Sequence, residues 1–86
     1  MTGGVLHLVR KRLDPTAAAV IARQSRLGPV GVVLMQDGVF AEISGSVEVY
    51  VNQEDAAARG IETAHRTVGY EEIAAFVVSA SRVMVW

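Results

Sequence analysis

The stretch Val30-Gly-Val-Val-Leu-Met35, followed by Gln36-Asp-Gly-Val-Phe40, decides how this chain is read. Six residues, Val30 to Met35, are apolar or glycine without a break, and the run then stops at Gln36-Asp37-Gly38. A short Val-rich run bounded by turn residues reads as a strand buried on both faces. Burial on both faces implies a parallel sheet with helices on either side. Asp37-Gly38 then falls just past the carboxyl end of the strand, where open α/β sheets turn back and hold their ligands.

Working outward from that strand, the alternation of elements is regular. Val5 to Val9 is a first strand, Val-Leu-His-Leu-Val, after a flexible lead-in over Met1–Gly4. Asp14-Pro15 starts a helix: the Asp carboxylate caps free N–H groups, and Pro is preset for the first helical position. Ala17 to Ala22 continue it, with Arg23 and Arg26 near its end and Gly28-Pro29 as its stop. Val39–Ile43 is too short for a full helix and reads as at most one helical turn or a bent loop, closed by Ser44-Gly45. Val47, Val49 and Val51 alternate with Glu48 and Tyr50, which predicts a strand with one well-buried side. Asn52 caps a two-turn helix that carries Glu54 and Asp55 in its first turn and ends at Gly60. His65–Val68 is a short strand. Glu71–Ser79 is a helix with Ile73, Phe76 and Val77 as its core face. Arg82-Val-Met-Val-Trp86 is a last strand. The whole predicts one domain over residues 1–86: an α/β three-layer sandwich with a small, mostly parallel sheet of four to five strands.

Composition bounds the function. An 86-residue chain buries only about 60–65% of its unfolded surface and is marginal as a lone monomer. Yet 51% of its residues are apolar and its mean hydropathy is +0.34. Part of the surface is therefore expected to be an interface. The net charge of −1 offers no field to recruit nucleic acid or a membrane. Residues 1–43 hold five basic and three acidic groups, and residues 44–86 hold three and six. Arg10-Lys11-Arg12 is the one basic concentration and reads as a solvated loop. With no cysteine, the chain has no disulfide, no thiolate metal site and no persulfide of its own. No apolar stretch reaches the length of a membrane span, and no secretory leader is visible, so a cytoplasmic location is expected.

No catalytic constellation stands out. His7 and His65 lack metal-ligand spacing, and His7 in the middle of an apolar strand reads as a neutral, hydrogen-bonded core group. The glutamates and aspartates at 54–55 and 71–72 complement helix dipoles. Gly28-Pro-Val-Gly31 precedes a strand instead of opening a helix, so it is no phosphate loop. The expectation is no metal and no cofactor. One cluster is spatial: if the first two strands are parallel neighbours, Arg10 and Asp37-Gly38 share a sheet edge, joined by Asn52 from the third strand. That group admits a ligand crevice, an ordinary Arg10–Asp37 salt bridge or an interface. Phe40 and Trp86 are the candidate interface residues, and Trp86 equally suits a core-closing role.

Several segments taken together resemble the TusB/DsrH family: Val5-Leu-His-Leu8, Leu34-Met-Gln-Asp-Gly-Val39, Val49-Tyr-Val-Asn-Gln-Glu-Asp55 leading to Ala58-Arg-Gly60, and Gly69-Tyr-Glu-Glu-Ile73 before Met84-Val-Trp86. The resemblance implies a DsrE-like α/β fold. It also implies a small non-catalytic subunit of a sulfur-relay complex with TusC/DsrF-like and TusD/DsrE-like partners. Such complexes pass persulfide sulfur toward wobble-uridine thiolation of tRNA, or act in sulfur oxidation, and the persulfide belongs to the TusD/DsrE-type partner. Two departures stand out. The first helix reads Ala17-Ala-Ala-Val-Ile-Ala22, without the cysteine some DsrH members carry there. The segment between Asp37 and Val47 is shorter than a full second helix, which predicts a sheet face left open for a partner or a second copy.

Overall fold

The structure, a computed structural model, describes residues 3–12 and 14–86. Met1 and Thr2, from the expected lead-in, lie outside the described residues. Five strands, β1 (Val5–Val9), β2 (Val30–Leu34), β3 (Glu48–Asn52), β4 (Arg66–Val68) and β5 (Arg82–Val85), form one sheet in the order β4-β3-β2-β1-β5. Every pairing is parallel, with Val5 opposite Val30 and Arg82, and Gly31 opposite Glu48. Three helices, α1 (Pro15–Ser25), α2 (Gln53–Ala58) and α3 (Tyr70–Ser79), cover the faces. The three-layer sandwich read from the sequence is thus the architecture found, with an all-parallel sheet.

The layering follows from strand order. From β1 to β4 the chain steps one way across the sheet, so right-handed crossovers put α1 and α2 on the same face. From β4 it returns across the whole sheet to β5, which sends α3 to the opposite face. The core divides accordingly. Val9, Ile21, Val30, Val32, Leu34, Val39, Val51 and Ala56 pack on the α1/α2 face. Leu6, Val33, Tyr50, Val68, Ile73 and Phe76 pack under α3. All five residues of β2 are buried, because it is central in the sheet and covered on both sides. Enclosing one such Val is worth about 1.5–3 kcal/mol.

The local signals act as their chemistry requires. Asp14 accepts from the Ala17 N–H at 2.7 Å, capping α1 ahead of Pro15. Arg26 lies just past the last turn and Arg23 within it. Gly60, with φ +63°, ends α2: its N–H reaches the Ala57 carbonyl while the Ile61 N–H reaches Ala56.

Expectations at three residues need correction. Val77 is not a core residue; it is 39% exposed, and Ile73 and Phe76 alone anchor α3. Alone on its face, α3 has only the sheet to pack against, and one narrow stripe meets it. Tyr50, expected on the open side of β3, is buried. Its ring lies 4.7 Å from that of Phe76, and its hydroxyl donates to Glu48 at 2.8 Å. The crossing of α3 covers this side too. Val49, on the expected buried side, is only half-buried.

Candidate functional site

The candidate residues gather where the sequence placed them, at the carboxyl ends of β1, β2 and β3, but their partners differ. Residues Gln36–Phe40 form a 3₁₀ turn directly after β2. The turn closes against β1 at Gly38, where a Cβ would stand 2.0 Å from the Val9 carbonyl oxygen. Only glycine permits that approach. Gln36 enters the turn at φ +51°, an uncommon conformation for a side-chain-bearing residue. Its N–H donates to Asp55 Oδ2 at 2.7 Å.

Asp55 therefore ties the 3₁₀ turn to α2, and Arg59 doubles the tie. Arg59 Nε donates to Asp37 Oδ1 at 3.1 Å, and its Nη1 lies 3.8 Å from Asp55 Oδ1. Asp37 thus pairs with Arg59 and not with Arg10. Asn52 is fully buried, and its Oδ1 accepts from the Asp55 N–H at 2.9 Å, as its capping role requires. Its Nδ2 has no hydrogen-bond partner. Gly38 and Asn52 are both enclosed by packing, and Arg10 is exposed, its N–H donating to the Trp86 carbonyl at 3.0 Å. The four candidates share an edge without converging their side chains on one point.

Phe40 closes the 3₁₀ turn on the outside, 39% exposed, with the Arg12 guanidinium 4.2 Å above its ring. Beside it lies an open groove of about 370 Å³. Its floor is apolar, from Leu34, Val39, Val51 and Ile61, and Glu42, Glu62 and His65 stand on its walls. One side is the segment after the 3₁₀ turn; the other is the α2–β4 connection. The groove exists because no helix joins β2 to β3, so the sheet face there is covered only by a turn and a loop. Among the described residues no group of three or more His, Asp or Glu could hold a metal. No helix of the described residues is long and apolar enough to cross a membrane.

A second cluster sits under α1. His7 is fully buried in β1. Trp86 Nε1 donates to His7 Nδ1 at 2.9 Å, and the two rings stack at 17° with centroids 6.2 Å apart. His7 Nε2 lies 2.6 Å from Gln24 Oε1, and Gln24 Nε2 donates to Met84 Sδ at 3.5 Å. With Nδ1 accepting, the proton must sit on Nε2, and the ring is neutral. Burial pushes the His7 pKa below its ordinary value, against a smaller upward pull from Gln24. His7 is thus the hydrogen-bonded core group expected, and Trp86 takes the core-closing role while staying partly exposed.

Sequence reasoning missed the roles of five residues. Asp55 and Arg59 stand four residues apart on α2, a spacing that signals a pair but not the turn they hold. Gln24 reaches His7 across 17 residues and only through the packing of α1 on β1. Ile61 and His65 line the groove from a connection whose path no local pattern fixes. No family model and no curated protein matches the chain.

Proposed function

We propose that the chain is a non-catalytic, cytoplasmic subunit of a sulfur-relay assembly of the TusBCD/DsrEFH type. In this role it braces a persulfide-bearing DsrE-like partner on the route to tRNA wobble-uridine thiolation or sulfur oxidation. The observation that carries the reading is the groove beside Phe40, on the sheet face where the sequence lacks a full second helix. The groove, floored by apolar side chains and rimmed by the exposed Phe40, Glu42, Glu62 and His65, is suited to a protein surface. The all-parallel sheet and the segments from Val5 to Trp86 that resemble TusB/DsrH support the same reading. Having no cysteine, this chain leaves the persulfide to its partner. The test is co-purification from the native source at moderate salt. A DsrE-like and a DsrF-like subunit are expected to travel with the chain; recovery of the chain with neither would overturn the reading.

A second reading, a stand-alone DsrE-fold protein that binds itself, is favoured by a different feature, the free outer edge of β5.

A further inference from the structure

We propose that the outer edge of β5 pairs antiparallel with β5 of a second copy, about a two-fold axis at Met84, to make a continuous ten-stranded sheet. This surface lies at the far side of β1 from the groove and does not depend on the relay assignment.

β5 is a terminal strand of the sheet, paired only with β1. The Arg82 N–H donates to the Gly4 carbonyl, the Trp86 N–H donates to Leu8, and the Trp86 carbonyl accepts from Arg10. In a parallel ladder the backbone polar groups of alternate residues face opposite sides. Residues 82, 84 and 86 therefore turn their backbone toward β1, and Val83 and Val85 turn theirs outward. Among the described residues nothing pairs with that outward row. An open row of N–H and C=O groups is a template for another strand.

The occupant that fits is the same strand reversed. With Met84 on the axis, Val83 of one copy faces Val85 of the other, and each such pair exchanges two N–H···O bonds, four in all. The same register sets Arg82 opposite residue 86 of the second copy. Side chains at 82, 84 and 86 share the α1 face, so an exposed guanidinium meets the partly exposed indole of Trp86 twice, once on each side of the axis. On the α3 face, Val85 is 54% exposed. Val83, beside it on that face, is partly exposed. These side chains give the pairing apolar flanks beyond its backbone bonds. The opposite edge is protected in a way β5 is not: β4 is three residues long, and its Arg66 is held by Glu72 at 2.7 Å. Strand β5 has no proline or lysine to discourage pairing.

The experiment is sedimentation velocity on the full chain over a concentration series, with amide hydrogen exchange on the same samples. A reversible dimer is expected, with the Val83 and Val85 amides gaining protection as it forms. Val85→Lys is expected to raise the dissociation constant at least tenfold. Val85→Pro, which removes an outward N–H and no bond to β1, is expected to do the same. Thr67→Lys on the other edge is expected to leave it unchanged. If Val85→Pro fails to fold, Val85→Lys and the exchange data decide. A wild-type monomer at the highest concentrations overturns the proposal. So does a dimer that survives Val85→Lys, one that leaves the Val83 and Val85 amides unprotected, or one that Thr67→Lys dissolves. Because the chain is studied alone, these outcomes are separate from partner co-purification.

Discussion

The indole N–H of Trp86 is the donor that holds His7 neutral: it points at Nδ1 from 2.9 Å, the position a second proton would need. Trp86 thus fixes which ring nitrogen of His7, in the first strand, carries the proton. Burial lowers the His7 pKa, against a smaller upward pull from Gln24. The unfolded chain, with His near its ordinary value of about 6.5, binds a proton that the folded chain resists. This contribution to stability is complete above that value and is lost as pH falls through it toward the lower folded pKa. The slope from one proton is at most about 1.4 kcal/mol per pH unit. Urea unfolding between pH 5 and 8 is expected to show that slope in the wild type, and a shallower one in His7→Gln. Equal slopes would remove His7 from the account.

Trp86→Phe deletes the donor together with part of the indole's packing on the core. A hydrogen bond of this kind is worth about 1 kcal/mol. The unfolding free energy is expected to fall by at least that amount at pH 8, and by less near pH 5, because without the donor facing Nδ1 the folded variant takes up a proton more readily. A drop larger at pH 5 than at pH 8 would contradict the assigned donor and acceptor.

Two glycines separate strain from collision. Gly38→Ala drives a methyl into the Val9 backbone, which cannot move without disturbing the β1–β2 pair. A loss of about 3 kcal/mol or more is expected. Gly60→Ala meets nothing within 4 Å, so only its φ of +63° costs, about 1 kcal/mol. Thermal or urea unfolding of the two variants checks the order; a costlier Gly60→Ala would mean that the 3₁₀ turn is not seated on β1.

The carboxylates around Arg59 are unequal. Asp37 is largely exposed, and its ion pair is worth under about 0.5 kcal/mol, so Asp37→Ala is expected to be nearly silent. Asp55 is the more buried of the two and also accepts the Gln36 N–H that fixes the turn. Asp55→Ala is expected to cost about 1–2 kcal/mol. Equal effects in urea titrations would show that the turn holds itself.

Phe40→Asp places a charge beside the groove. It is expected to weaken partner co-purification at least tenfold while moving the unfolding midpoint little, since Phe40 is a large side chain on the surface. Unchanged co-purification would put the partner elsewhere.

The fold was legible because its signals are local and agree with one another. The apolar run at Val30–Leu34, the Asp14-Pro15 start, the Asn52 cap and the Gly60 stop each state one boundary, and together they impose a βα alternation. What could not be read is what lies between elements. Nothing in α3 says that it crosses the sheet alone, so Val77 looked as buried as Phe76, and Tyr50 looked exposed. The edge shared by Arg10, Asp37 and Asn52 follows from parallel strands. Which charge each meets follows from α2, whose placement brings Arg59 to Asp37 across 22 residues.

The order β4-β3-β2-β1-β5 has a consequence for synthesis. During translation β1 can recruit β2, and β2 can recruit β3, while the other flank of β1 stays bare. Among the described residues that flank is taken by β5, fifth of the five strands in chain order, and Trp86 just beyond it covers His7. The β1 flank of the sheet cannot close until β5, fifth of the five strands in chain order, has been made. Until that moment the growing chain presents one open flank of β1 that the finished sheet encloses, and a product truncated before β5 keeps that flank open.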